Sequence, residues 1–202
     1  MKKYRIGHRK RKKVSGKWLL GIAIVAIMVS SVFGIVLSGF GTQSNLLEYK
    51  GLIFIPNKYG TLTTTFNDNE LIFVSSPFSV ENINVSDKII SKLKNSKVIT
   101  ITYNPNSLYK KELAQTQFLM EQNLAAGFNT FTQRAVTNNT NLTSFLEASC
   151  QNATPTIPVI QLQVTGTSNY TLNNNCIIID GYSGLDVLSR AERIIYGLME
   201  VI

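Results

Sequence analysis

Histidine is all but missing from this chain: its single imidazole, His8, sits in a basic tract at the N-terminus. Everything beyond it lacks the side chain most used for proton transfer at neutral pH. That excludes Ser-His-Asp and Cys-His machinery and His-bearing zinc sites from the body of the protein. Cysteine is scarce too, with only Cys150 and Cys176. In an exported domain this even pair reads as one disulfide; the other reading is two buried free thiols. Bonded, the pair closes a loop of about 26 residues and contributes roughly 3–4 kcal/mol by the chain-entropy argument.

Negative charge is absent from the first 17 residues, which carry nine basic ones: Lys2, Lys3, Arg5, Arg9, Lys10, Arg11, Lys12, Lys13 and Lys17. The formal net charge of +8 is therefore local. The remainder holds 11 basic residues against 12 acidic ones, a balance of −1. A nucleic-acid partner is not expected, because duplex binding needs basic residues spread over a folded face.

Charge of either sign is then missing from Trp18 to Phe40, a run of 23 residues. A helix needs about 20 apolar residues to cross a bilayer, and backbone satisfaction in lipid demands a helix. Lys and Arg concentrate on the cytoplasmic side of such a span. The expected layout is a cytoplasmic tail over 1–17, a transmembrane anchor over 18–40, a linker over 41–50 and an extracytoplasmic domain over 51–202. The lipid bilayer is then one partner. A cleaved signal peptide is the competing reading, but its apolar region is about 7–15 residues long and ends in an A-x-A-like site. The exit here, "VLSGFGTQS", has small residues without that pattern. A pilin-like protein processed after Ser15-Gly16 is a third reading.

Five N-x-S/T sequons occur, at Asn84, Asn138, Asn141, Asn152 and Asn169. With 19 Asn after residue 40 and Ser or Thr common there, chance gives about as many. They permit glycosylation without arguing for it.

The body suits one compact domain. "GLIFIP" (51–56), "TLTTTF" (61–66) and "ELIFVSS" (70–76) are short, β-branched and aromatic, and predict a β-meander. Ser86 is placed to cap a short helix through Asn95, with Ile89, Ile90 and Leu93 on one face. "KVITITY" (97–103) predicts a central strand. "NPNS" then stops it and opens a helix to about Ala126, with Leu113, Met120 and Leu124 on one stripe and Ala114, Phe118 and Ala125 beside it. "FNTFTQRAV" (128–136) returns as a parallel strand, and "TNNTNLTS" (137–144) is the expected exposed loop. "PVIQLQVTG" with "YTL" predicts a hairpin, and "CIIID" a buried strand. The last helix carries a stripe through Leu185, Leu188, Ile195, Leu198 and Ile202. The expected fold class is an N-terminal transmembrane helix followed by one α/β (α+β) domain, a mixed sheet covered by helices.

Within this frame "CIIIDGYSGLD" is the most tempting chemical motif. It misses both G-x-S-x-G and G-x-G-x-x-G. Helix capping accounts for it: Gly181 and Gly184 ease a turn, Ser183 caps, and Asp186 completes a capping box. Asp68 with Glu70, and Asp180 at a strand end, are the carboxylates from which a hydrolytic pair or an oxygen-ligated cation site could be built. No spacing makes either one specific, so no cofactor, metal site or enzymatic activity is expected.

The basic tract, apolar run, β-rich start and closing pattern "C…PVIQLQ…CIIIDG…RAERIIYGLMEVI" resemble small single-span envelope proteins of uncharacterised archaeal families. That resemblance implies an envelope location and brings no functional residue with it. The expected role is a membrane-anchored extracytoplasmic binding or structural subunit of a cell-envelope complex, partnered by other envelope proteins. A membrane-tethered hydrolase using carboxylates or Ser/Lys is the alternative.

Overall fold

Two left-handed turns shape the first sheet. β1 (Leu47–Tyr49) and β2 (Leu52–Pro56) are joined by Lys50 and Gly51, with φ of 45° and 82°. β3 (Leu62–Phe66) and β4 (Asn69–Phe73) are joined by Asn67 and Asp68, with φ of 50° and 62°. Paired positive φ angles match the twist of two-residue hairpins, and Gly, Asn and Asp tolerate them best. The result is a four-stranded antiparallel meander in chain order. This computed structural model describes residues 46–138 and 145–202. Alternation along the strands turns Phe54, Leu71 and Phe73 inward, and leaves Ile53 and Ile55 exposed.

Two short helices follow, α1 (Pro77–Val80) and α2 (Asp87–Lys94). The chain then builds β5 (Val98–Tyr103), α3 (Lys110–Phe128), β6 (Phe131–Val136) and β7 (Leu146–Glu147). A 3-10 turn over Cys150–Asn152 leads to β8 (Val159–Val164), β9 (Asn169–Asn173), β10 (Cys176–Gly181) and α4 (Gly184–Leu198). These strands form a second sheet in the order β7-β6-β5-β8-β10-β9. All neighbours in it are parallel except β9 and β10.

Helices α3 and α4 pack against each other and against one face of this sheet. Ile99, Ile101, Ile160, Leu162, Ile177 and Ile179 from the sheet meet Leu113, Met120, Val187, Ala191 and Ile194 from the helices in one buried core. Each of these side chains other than Ala191 contributes about 1.5–3 kcal/mol on burial. The meander joins the same core. Tyr196 of α4 stacks on Phe73 with ring centroids 4.3 Å apart, and meets Phe54 edge-on at 5.9 Å.

Polar side chains tie the meander to the helices. Asn123 of α3 behaves like a short strand beside β4: its Oδ1 accepts from Ile72 N at 3.0 Å and its Nδ2 donates to Ile72 O at 2.8 Å. Glu192 of α4 accepts from Val74 N at 2.5 Å and Ser75 N at 2.7 Å. Tyr196 Oη donates to Ser75 O at 2.8 Å, and the Ser75 and Ser189 hydroxyls pair at 2.9 Å. The chain leaving β4 is thus bound by side chains, and no further strand continues the meander there.

That is why the expected single mixed sheet is corrected to two separate sheets in an α+β arrangement. The membrane-crossing part of the expected fold is also corrected. No helix among the described residues is long and apolar enough to cross a membrane, and the apolar run at 18–40 lies outside them. The expected hairpin of "PVIQLQVTG" with "YTL" is corrected as well. β9 pairs with β10 through the turn at Asn174 and Asn175, while β8 lies parallel to both β5 and β10.

Smaller expectations shift too. β1 falls inside the stretch expected to be a linker, with Tyr49 buried. Ser86 occupies the N-cap of α2, but its side chain makes no capping bond. In α3, Phe118 and Ala125 are exposed, whereas Thr116, Gln117 and Asn123 are buried, because both sheets press on this helix. Of the expected stripe of α4, Leu188, Ile195 and Leu198 are buried, joined by Val187, Ala191 and Ile194, whereas Leu185 is exposed and Ile202 lies beyond the helix. Most of the loop expected at 137–144 is outside the described residues.

Candidate functional site

The second sheet contains a topological switch point. β5 leads through α3 to β6 on one side, and the chain returns to lay β8 on the other. In open parallel sheets the carboxyl ends of strands at such a reversal leave a crevice, where ligands commonly bind. Here that crevice is about 510 Å³. Asn104 and Ser107 follow β5, Thr137 follows β6, Ser149 precedes the 3-10 turn, and Gln161 and Gln163 come from β8. Leu113, Leu162 and Val164 supply its apolar wall.

Local sequence explains the positions. "VIQLQV" alternates, so Ile160 and Leu162 enter the core while Gln161 and Gln163 turn to the opposite face. At Asn104 the chain leaves β5 before Pro105. There Asn104 Oδ1 accepts from Asn106 N at 2.9 Å, and Ser107 Oγ accepts from Tyr109 N at 3.2 Å. Two neighbouring helices approach closely at this end of the molecule. A Cβ on Gly184, the first residue of α4, would stand 2.4 Å from Glu112 Cβ in α3.

Asp180, at the end of β10, organises one wall. Its Oδ1 accepts from Thr165 N at 3.0 Å, and its Oδ2 accepts from Thr167 Oγ1 at 2.8 Å, from Gln163 Nε2 at 3.3 Å and from Thr165 Oγ1. Burial alone raises the pKa of a carboxyl group, but these bonds outweigh it and hold Asp180 below its ordinary value. Gln163 Oε1 accepts in turn from Gln161 Nε2 at 3.1 Å. Asp180 therefore sits where a ligand-binding carboxylate was expected, yet its lone pairs are taken up by its own β8–β9 loop.

The remaining sequence candidates do not converge on the crevice. Asp68 and Glu70 are exposed on the meander. Ser183 Oγ accepts from Asp186 N at 3.2 Å as the N-cap of α4. Asp186 accepts from Tyr182 N at 3.0 Å, one residue earlier than a capping box requires, and pairs with Arg190 at 3.4 Å. Cys150 and Cys176 are disulfide-bonded, which ties the 3-10 turn to the first residue of β10. Asn84, Asn138, Asn152 and Asn169 are exposed, and Asn141 lies outside the described residues. No group of three or more His, Cys, Asp or Glu that could hold a metal ion forms among the described residues.

Sequence inspection missed Gln161, Gln163 and Asn104 as site residues. The signal for the two glutamines was the period-2 polarity of "VIQLQV". Another cavity of about 420 Å³ opens beside Asn67, Lys94 and Asn129, by residues that precede β5 and β6. Two of its polar groups are spent locally, Asn67 Nδ2 on Gly127 O at 3.0 Å and Lys94 on Glu200. Comparison of the chain with protein-family models, curated proteins and solved structures finds no match, so the switch-point crevice is what speaks for its function.

Proposed function

We propose that the domain works outside the cytoplasm, at the cell membrane, as a binding or structural subunit of a cell-envelope complex. The observation that carries this reading is the composition of the crevice. It is lined by amides, hydroxyls and aliphatic groups, and the carboxylate beside it already accepts four hydrogen bonds. Such a site can hold a ligand and orient it, but it offers neither a free general base nor an activated nucleophile. The disulfide supports the compartment, since such bonds persist where the surroundings are oxidising. The excess of basic over acidic residues, which is confined to the N-terminal tract, supports a cytoplasmic N-terminus.

The test is turnover by the purified full-length protein, offered glycan, peptide and ester substrates. The reading predicts none. It also predicts that Asp180→Asn and Ser183→Ala act on melting temperature alone. Turnover that Asp180→Asn abolishes at unchanged melting temperature would overturn it.

A further inference from the structure

We infer that the switch-point crevice binds a neutral saccharide, through a pair of hydroxyl groups seated between Gln161 and Asn104. This rests on the reading of the domain as a binding module and names its ligand class.

The polarity of the site is fixed by Asp180. A carboxylate only accepts, so Gln163 presents its Nε2 to Asp180 and its Oε1 to Gln161. Gln161 must then present Nε2 to Gln163, which leaves Gln161 Oε1 as an acceptor with no partner among the described residues. Across the crevice the pattern is opposite. Asn104 Oδ1 and Ser107 Oγ are both occupied by backbone N–H groups, so Asn104 Nδ2 and the Ser107 hydroxyl proton remain as donors. A ligand must therefore donate on the Gln161 side and accept on the Asn104 side. A sugar hydroxyl does both.

Other ligand classes fit less well. No charged side chain lines the crevice among the described residues, so an ionised ligand would lose hydration without gaining a counter-charge, and buried Asp180 would repel an anion. An extended peptide needs a free strand edge, but β5 is paired on both sides by β6 and β8, and β8 by β5 and β10. Leu113, Leu162 and Val164 offer an apolar surface suited to the C–H face of a pyranose ring. The volume of about 510 Å³ falls in the range of small-molecule pockets.

Calorimetric titration of the full-length protein with neutral mono- and disaccharides tests this, with uronic acids and a capped dipeptide amide as comparators. Saturable binding of a neutral sugar is expected. Gln161→Ala and Asn104→Ala should each weaken it about tenfold, as loss of one hydrogen bond does, with the melting temperature kept within about 2 °C. The inference is overturned if no neutral sugar binds at about 10 mM, or if Gln161→Ala leaves the affinity unchanged. It is also overturned if the dipeptide amide or a uronic acid alone binds and depends on Gln161, although the binding reading would then stand. Hydrolysis of a bound neutral sugar would support the ligand class and overturn the binding reading instead.

Discussion

Glu192 is buried in α4 with no ion-pair partner among the described residues, and two backbone N–H groups close on its carboxyl group. Burial pushes its pKa up to about 7, against the pull of Val74 and Ser75. The folded protein then holds a proton that the unfolded chain has released, so stability falls as pH rises from about 4.5 to about 7. The effect is about 3 kcal/mol for a shift of this size. Chemical denaturation across that interval should show the decline, and Glu192→Gln should flatten it. Asp180 works with the opposite sign. Its lowered pKa adds stability above the ordinary carboxyl range, and that stability is lost as pH falls through the lowered value. Ser183→Ala removes one N-cap bond and should cost about 0.5–2 kcal/mol in the same assay.

At the scale of elements, the disulfide and the side-chain substitute for a strand carry the predictions. Cys150→Ser or Cys176→Ser should lower stability by about 3 kcal/mol, and a reducing agent should reproduce that loss in the parent protein. Asn123→Ala strips both hydrogen bonds from Ile72 and should cost about 2–4 kcal/mol, read as a lower thermal midpoint. The elements themselves were largely legible. Short β-branched runs separated by "NKYG" and "NDN" announce β2, β3 and β4 of the meander but not β1, and "KVITITY", the helix after it and "FNTFTQRAV" announce a parallel unit. Pairing partners were not. β9 looks like the return of β8 because "TGTS" resembles a hairpin turn, but β10 offers it a full register from Asn169 to Asn173. Nor does local pattern show that Asn123 and Glu192 would bind the chain around β4, because those contacts span 51 and up to 118 residues.

The same limit applies to the site at the scale of the whole molecule. Asp180 was recognisable as a strand-end carboxylate, yet its role depends on Thr165 and Thr167 folding back over it. Gln161 comes to line the crevice only once β5 and β8 lie side by side. The proposed export and assembly concern the intact protein in the cell, so they are tested there. The exposed lysines of the domain, among them Lys58, Lys97, Lys110 and Lys111, provide the handle. A membrane-impermeant lysine crosslinker added to intact cells, followed by mass spectrometry, tests location and partnership together. The proposed function predicts crosslinks from these lysines to other envelope proteins before the cells are broken. Crosslinks that form only after lysis, or only to cytoplasmic proteins, would contradict it.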